Sequence, residues 1–210
     1  MSRSNRTRLA VAGLVAVAAV AMVSTTVSAR KGERDRGRDG ATAVAKLRDA
    51  DDKAVARVVL RERRGGSVRV RVSARRLTPG FHGFHIHEKG VCEAPSESPE
   101  GKTGSFLSAG GHFARGSQGH GEHAGDMPPL FVTREGRARA QFEIDSYRVR
   151  ELGVGDGSAI MIHADPDNSA NIPDRYRSSE SDEPGPDEDT LKTGDSGDRV
   201  ACGTVRLRRR

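Results

Sequence analysis

The stretch SVRVRVSA, residues 67–74, alternates strictly between polar and apolar side chains. RARAQFEI, residues 137–144, shows the same period of two, which is typical of a β-strand with one buried face and one exposed face. Turn signals such as RGG at 64–66 and PG at 79–80 separate runs of this kind. We therefore predict an all-β domain, an antiparallel sandwich or barrel. Its strands are predicted at residues 41–47, 54–61, 67–75, 82–87, 137–144, 158–163 and 200–207.

Two long stretches rich in Gly, Ser, Pro and charged residues interrupt these strands, at residues 91–129 and 165–198. Loops of this length inside a compact domain are usually functional or disordered. Both stretches end beside histidines or a cysteine. We therefore predict that the two loops carry the function.

The first 29 residues have the composition of a secretory signal peptide. They begin with the basic stretch SRSNRTR, continue with 15 apolar residues at 9–23, and end with Val27 and Ala29, which suit cleavage after Ala29. An uncleaved anchor is the alternative, although 15 residues are short for a membrane span. The sequence thus predicts an exported protein, located in the periplasm, at the cell surface or outside the cell, with no stable membrane span after cleavage.

Residues 30–40, RKGERDRGRDG, are charged and glycine-rich, as in a disordered linker. The predicted domain then covers residues 41–210 and ends in a basic C-terminal tail, RLRRR. Without the predicted signal peptide, 32 basic residues face 29 acidic ones. Because the two signs are interspersed, we interpret the tail as solvated and expect no nucleic-acid partner.

Two cysteines, Cys92 and Cys202, exclude a cysteine-only zinc site and a miniprotein with several disulfides. In an oxidising compartment outside the cytoplasm the two thiols can pair. Two free thiols are the alternative. The even number of cysteines in an exported chain favours the disulfide.

All seven histidines lie between residues 82 and 163. His85 and His87, in GFHIHE, are two residues apart on a predicted strand, so both side chains project from the same face and can bind one metal ion. His82 is an odd number of residues away and is predicted to point to the other face, as a hydrogen-bonded structural histidine. His163 ends another apolar strand and is a weak signal when taken alone.

A glycine-rich segment, GGHFARGSQGHGEHAGD, contains three histidines and a carboxylate, which together suit zinc: His112, His120, His123 and Asp126. A surface histidine tract that binds metal only casually is the alternative. A four-histidine copper site beside this zinc site needs eight ligand positions, whereas the two sets supply seven residues. One histidine would therefore serve both metals as an imidazolate.

Five motifs together resemble the copper-zinc superoxide dismutase family in its secreted bacterial branch, over residues 41–207. They are GFHGFHIHE, SAGGHF, HAGDMP, IMIHADPDN and KTGDSGDRVACG. The resemblance implies an immunoglobulin-like Greek-key β-sandwich or flattened barrel of about eight antiparallel strands, with two long functional loops.

The resemblance also implies roles for individual residues. The implied copper ligands are His85, His87, His112 and His163. The implied zinc ligands are His112, His120, His123 and Asp126, so that His112 is the bridge between the metals. Arg199 is implied to guide and dock superoxide, and Cys92 and Cys202 to form the family's disulfide. Asp167 is implied to tie a copper histidine to a zinc histidine, expected to be His85 and His120, while Lys192 and Thr193 match positions that line the channel.

The activity implied by the resemblance is dismutation of superoxide to oxygen and hydrogen peroxide, with copper and zinc as cofactors, which would protect the cell envelope. Copper would alternate between two oxidation states while His112 accepts and returns a proton. The alternatives are a non-catalytic exported copper- or zinc-binding protein of the same fold, a zinc hydrolase, and a purely structural β domain. A homodimer is left open.

The sequence departs from the family's pattern in two places. Only two residues separate His120 from His123, so the zinc loop is shorter than in cytosolic members. The second departure is an acidic stretch around residues 180–189, which would slow an anionic substrate if it faced the metal centre. We favour the reading of this stretch as a solvated outer loop.

Overall fold

The structure is a computed structural model that describes residues 40–116, 119–178 and 182–208. The predicted signal peptide and residues 30–39 of the predicted linker lie outside the described residues, as do residues 209–210 of the tail. No helix in the described part of the chain is long and apolar enough to cross a membrane.

The regular secondary structure of the described chain is almost entirely β-strand. The longer strands are β1 (Thr42–Arg48), β2 (Ala54–Glu62), β3 (Val68–Arg75), β5 (Phe84–His87), β9 (Arg137–Ile144), β10 (Ala159–His163) and β11 (Arg199–Thr204). The shorter ones are β4 (Gly80–His82), β6 (Ser96–Glu97), β7 (Thr103–Gly104), β8 (Leu130–Val132) and β12 (Arg206–Leu207). One α-helix, α1 (Glu188–Thr193), and two 3-10 turns at Leu107–Ala109 and Glu151–Gly153 complete the described elements. The prediction of an all-β fold is confirmed.

An antiparallel sheet of eight strands organises the domain, in the order β5-β10-β11-β1-β2-β3-β9, with β12 pairing to β1. Two small sheets, β4-β8 and β6-β7, lie beside it. The neighbours β5-β10, β11-β1 and β3-β9 are distant in sequence, as the crossing connections of a Greek key require. The observed order agrees with the predicted sandwich or flattened barrel.

The strict alternation of SVRVRVSA places its apolar residues in the core. Val68, Val70 and Val72 of β3 are buried and belong to the main core cluster, while the arginines between them face outward. Residues of β10 and β5, including Ile160, Ile162, Phe84 and Ile86, complete the same cluster from the other side. The hydrophobic core therefore lies between β1, β2, β3 and β9 on one side and β5 and β10 on the other.

The predicted strand at 82–87 is interrupted at Gly83, which separates β4 from β5. The Gly83 N–H donates to the Asp165 carbonyl at 2.8 Å, and the Gly83 carbonyl accepts from the His163 N–H at 2.9 Å. A Cβ on Gly83 would lie 2.4 Å from the Ser196 hydroxyl oxygen. The close approach of the second long loop therefore requires glycine at this break.

Helix α1 lies in the second long loop and was not predicted. Asp187 caps its N-terminus by accepting from the Thr190 N–H at 2.8 Å. Gly194 ends the helix with a φ of 65°, in the left-handed region that favours glycine. The stretch PDEDTLKTG contains these cap signals, but six residues are too few to show a helical period.

Candidate metal centre

Strand β5 presents two histidines on its outer side. Phe84 and Ile86 point into the core, so the intervening His85 and His87 point away from it, and all four residues are buried. Opposite them on β10, Met161 pairs with His85, and His163 ends the strand beside a register shift. The loops that cover this side of β5 and β10 therefore bury a histidine cluster that would otherwise face solvent.

The first long loop is fixed to β5 by a closed ring of three backbone hydrogen bonds. Ile86 N–H donates to the Gly125 carbonyl at 2.9 Å, Gly125 N–H donates to the Phe113 carbonyl at 2.7 Å, and Phe113 N–H donates to the Ile86 carbonyl at 2.8 Å. Isolated bridges pair His87 with His112 and His85 with Asp126. This ring brings the glycine-rich segment over the strand that carries His85 and His87.

The first cluster consists of His85, His87, His112 and His163, all buried, with ring nitrogens that lie within 4.8 Å of one another. His87 Nδ1 lies 2.9 Å from the Gly110 carbonyl and His163 Nδ1 lies 3.1 Å from the Gly197 carbonyl, so each Nδ1 donates. The Nε2 atoms of His87 and His163 then carry lone pairs and face each other at 3.4 Å. Such an arrangement suits a cation held between the two rings.

His85 supplies the third free nitrogen of this cluster. Its Nε2 lies 2.5 Å from Asp167 Oδ2, and its Nδ1 is buried with no hydrogen-bond partner among the described residues. A buried polar atom without a partner is costly unless something else satisfies it. A metal ion bound at Nδ1 would do so.

The second cluster lies on the other side of His112. His85, His112, His120 and Asp126 each offer an atom within 4.8 Å of the others. His112 Nδ1 lies 2.9 Å from Asp126 Oδ1 and 3.3 Å from His120 Nδ1. Because Nδ1 of His112 faces this cluster, its Nε2 is the nitrogen left for the first cluster, and the ring lies between the two.

His123 approaches the second cluster through Asp126. Its Nδ1 is 3.2 Å from Asp126 Oδ2 and lacks hydrogen-bond geometry with any described partner. Asp126 Oδ2 also accepts from the backbone N–H groups of Gly121 and His123, at 2.8 and 3.1 Å. The short segment between His120 and His123 is therefore wrapped around this carboxylate.

Asp167 connects the two clusters. Its Oδ1 lies 2.8 Å from His120 Nε2, while its Oδ2 contacts His85. Burial alone would raise the pKa of Asp167, but hydrogen bonds from His120, His85 and the Ser169 N–H lower it well below its usual range. The carboxylate is therefore ionised and fixes both imidazoles with Nδ1 toward the clusters.

The protonation of the histidines suits metal binding. Burial is the main cause that lowers the pKa of His112 to about 4. Burial also lowers the pKa of His87 and His163 well below the ordinary value, and neighbouring histidines and Arg199 add to the effect. Burial opposes protonation of His120 as well, but there Asp167 and Asp126 raise the pKa. In the first cluster, therefore, His87, His112 and His163 are neutral and offer lone pairs at neutral pH.

Arg199 begins β11 and pairs with His163 in the sheet. Its guanidinium donates from Nη1 to the Phe106 carbonyl at 2.8 Å and from Nη2 to the Gly110 carbonyl at 2.7 Å. The Gly110 carbonyl also accepts from His87 Nδ1. Burial lowers the pKa of Arg199, but an arginine stays charged at neutral pH. A fixed cation therefore lies beside the first cluster.

The predicted disulfide between Cys92 and Cys202 is confirmed, with a Cα–Cα distance of 5.6 Å. It joins the first long loop to β11 three residues after Arg199. Two anchors of this loop, the disulfide and the Arg199 hydrogen bonds, therefore come from the same strand.

Sequence reasoning missed several residues that shape the site. The carbonyl of Gly110 has no signature in the sequence, although it holds both His87 and Arg199. Asp195 Oδ2 accepts from the Asn168 amide and the Thr190 hydroxyl, both at 2.6 Å, and so joins the chain after Asp167 to α1.

His82 hydrogen-bonds to the carbonyls of His163 and Thr78 and is buried, as a structural histidine would be.

Two features of the second loop concern the approach to the site. Lys192, for which the resemblance implied a place along the channel, donates to Glu188 Oε1 at 2.5 Å, and both side chains are exposed. Asp187 caps α1 and also accepts from the Ser178 hydroxyl. Part of the acidic stretch is therefore used in local hydrogen bonds of the loop.

Several known proteins resemble this chain in sequence or in fold. The family model described as copper/zinc superoxide dismutase (SODC) matches residues 54–205. A Superoxide dismutase [Cu-Zn] of Mycolicibacterium paratuberculosis is 48% identical over 132 residues, which are 61% of this chain and 57% of the relative. One of Neisseria meningitidis is 34% identical over 204 residues, 92% of this chain and 97% of the relative.

The matched region thus spans little more than half the length of the mycobacterial relatives, 57% and 55% for the M. paratuberculosis and Mycobacterium bovis proteins. Among solved structures, the Cu/Zn superoxide dismutase from Brucella abortus has a TM-score of 0.59 at 30% identity, covering 79% of this chain and 99% of that one. A SOD-like protein from Bacillus subtilis has a TM-score of 0.59 at 28% identity, covering 77% and 96%.

Proposed function

Because this chain belongs to the copper/zinc superoxide dismutase family, we propose that it catalyses the conversion of two superoxide anions and two protons to oxygen and hydrogen peroxide. The observation that carries the proposal is the first cluster, in which four buried imidazoles present free nitrogens to one another beside a fixed arginine. Four such nitrogens suit a redox-active copper ion.

We assign four copper ligands in the first cluster: His85 through Nδ1, and His87, His163 and His112 through Nε2. The free lone pairs left by the Nδ1 hydrogen bonds of His87 and His163, and the unpartnered Nδ1 of His85, support this assignment. Bound there, copper supplies a one-electron couple, which zinc cannot provide.

We assign four zinc ligands: His112, His120 and Asp126 of the second cluster, and His123, which lies beside that cluster through its contact with Asp126. The histidines would bind through Nδ1 and Asp126 through a carboxylate oxygen. The 2.9 to 3.6 Å separations between Asp126 and these three nitrogens support the assignment. Three nitrogens and one oxygen are donor types that zinc accepts, and four protein ligands are the number typical of a structural zinc site. Zinc here would hold the ring of His112 in place.

Three residues have roles beyond holding a metal ion: Arg199 acts on the substrate, His112 on its proton, and Asp167 on the orientation of two ligands. Arg199 attracts superoxide and orients it by a permanent charge held between two carbonyls. His112 would carry a proton at Nε2, the nitrogen that faces the first cluster, only while that nitrogen is not a copper ligand, and would return this proton to the reduced substrate. Asp167 acts indirectly, because it fixes the rings of His85 and His120.

Decay of superoxide in a stopped-flow instrument tests the proposal, with the full chain loaded with copper and zinc. We expect fast, copper-dependent decay that is lost in His163→Ala, which removes one assigned copper ligand. Arg139→Gln, an exposed change on β9 away from the site, is the matched control and should keep the rate. No decay despite one bound copper per chain would contradict the proposal and favour the non-catalytic metal-binding protein.

We also propose that residues 1–29 direct export, that residues 30–40 form a linker and that residues 41–210 form the functional domain. The basic and apolar composition of the first segment and the disulfide support activity outside the cytoplasm. Dismutation there would protect the cell envelope. A homodimer remains a proposal, supported by the exposed pair Phe81 and Phe131, whose rings lie 5.1 Å apart on β4 and β8.

A further inference from the structure

A basic face covers the outer side of strands β1, β2, β3 and β9. In the sheet, Lys46 pairs with Arg57, Arg57 with Ser73, and Ser73 with Arg139, so these side chains share one face. Arg71 and Arg75 lie two residues from Ser73 on either side and share that face too, and Arg75 pairs with Arg137. We define the basic face by Lys46, Arg57, Arg71, Arg75, Arg137 and Arg139.

The charge of this face is largely uncompensated. Among the described residues, no ion pair involves any of its six members. Arg71 donates to the neutral Gln141 amide oxygen at 2.7 Å. The acid in these rows, Glu143, is already paired with Arg69 at 2.9 Å, while Asp51, Asp52 and Glu135 lie in turns at the strand ends. The middle of the face is therefore strongly cationic.

The arrangement of these cations indicates the kind of partner. They are spread over four strands that lie about 4.8 Å apart, and along each strand as well, so they form a two-dimensional array rather than a single stripe. The residues between them in these rows, Ser73, Gln141 and Val59, offer no aromatic ring on which a base could stack. Arginine is well suited to bind phosphate groups.

We propose that the basic face is a docking surface for an anionic phospholipid bilayer. A planar array of phosphate headgroups matches charges that extend in two directions. Arg206 of β12 pairs with Val44 of β1 and so extends the face toward the C-terminal basic run. The apolar run at residues 9–23 precedes β1 in the chain, which would bring the domain to a membrane during or after export.

Docking through this face leaves the metal centre accessible. Val58 and Val70, on the inner side of β2 and β3, pack in the same core as Phe84 and Ile86 of β5. His85 and His87 alternate with these β5 residues and point outward on the opposite side of the core. A domain that lies on a bilayer by its basic face would therefore present the metal centre away from the lipid.

Co-sedimentation with vesicles tests this proposal. The probe vesicles contain phosphatidylcholine alone or phosphatidylcholine with phosphatidylglycerol, and the full chain is loaded with copper and zinc. We expect tighter binding to the anionic vesicles, weakened by added salt. The arginines beside the apolar run and the C-terminal basic run also favour anionic vesicles, but they are the same in every variant. The loss of binding in a variant of the basic face therefore measures that face.

Two charge-matched variants make the test specific. Arg57→Gln combined with Arg139→Gln should weaken binding to anionic vesicles by about tenfold or more. Lys102→Gln combined with Arg175→Gln removes the same charge from exposed positions in the two long loops and should change binding less than threefold. We expect both variants to keep the rate of superoxide decay measured without vesicles. A loss of vesicle binding with unchanged decay then bears on the basic face alone, and not on the proposed dismutase activity.

Three results would overturn the proposal. The first is equal affinity for neutral and anionic vesicles, and the second is an equal loss in both double variants. The third is salt-sensitive binding to soluble polyphosphate without binding to anionic vesicles, since the partner would then be a linear polyanion rather than a bilayer.

Discussion

At the scale of single residues, the carboxylate of Asp167 is the link between the two metal sites. Each of its oxygens accepts from a different imidazole, at 2.5 Å from His85 and 2.8 Å from His120. The backbone N–H of Ser169 donates to the same group at 2.6 Å. Because Asp167 hydrogen-bonds to rings assigned to different metals, we expect a substitution of this residue to weaken both metal sites.

Replacing Asp167 with Asn should weaken retention of both metals. The amide NH2 can only donate, so one imidazole N–H group loses its acceptor, and the remaining neutral amide oxygen holds the other ring more weakly than a carboxylate does. We expect an affinity loss of about 10- to 100-fold. Metal content after titration with a chelator measures it. Asp156→Asn, an exposed change in a turn, is the control, and equal metal retention in the two variants would contradict the assigned role.

The candidate site could be read from the sequence only where spacing implies geometry. His85 and His87 are two residues apart on a strand, and the structure places both in the first cluster. The glycine-rich segment likewise brings His112, His120 and Asp126 together. The carbonyls of Gly110 and Gly197 could not be predicted, because every residue carries a carbonyl and only the folded loop selects these two.

At the scale of elements, the long strands were predictable and the short ones were not. A period of two becomes visible over eight residues, as in β3 and β9. It cannot be recognised in the three residues of β4 and β8 or the two of β6 and β7. These short strands depend on their partners rather than on their own pattern.

A pair of substitutions in β3 tests the alternation directly. Val70→Ala removes two buried carbons from the core and should lower the free energy of unfolding by about 2 kcal/mol. Arg71→Ala, on the outer face of the same strand, should change it by less than about 0.5 kcal/mol. Urea unfolding followed by circular dichroism measures both changes in the free energy of unfolding. A larger loss in Arg71→Ala than in Val70→Ala would contradict the assignment of Val70 to the core.

At the scale of the whole molecule, folding sorts charges that the sequence intersperses. Acids and bases alternate along much of the chain, which indicated a mild overall balance. The pairing of β1, β2, β3 and β9 collects Lys46, Arg57 and Arg139 into one row, with no acid between them. Linear charge patterns cannot show this, because the register between distant strands decides which side chains become neighbours.

The disulfide is the other feature that acts over the whole molecule. It joins residues 110 positions apart, so its removal should release conformational entropy in the unfolded chain. We expect Cys92→Ser combined with Cys202→Ser to lower the free energy of unfolding by about 2 to 4 kcal/mol. The metal-free chain, compared in urea under oxidising conditions, isolates this effect from metal binding. An unchanged midpoint would contradict the expectation.

The backbone ring formed by Ile86, Phe113 and Gly125 has a consequence for the dynamics of the metal centre. The amides of Ile86 and Phe113 donate between β5 and the loop, so neither can exchange its proton with solvent unless the loop separates from β5. A Cβ on Gly125 would lie 2.4 Å from the Ile86 carbonyl oxygen, so the ring closes only with glycine there. The rate of hydrogen–deuterium exchange at the amides of Ile86 and Phe113 therefore reports how often the first long loop separates from β5 and exposes the histidines.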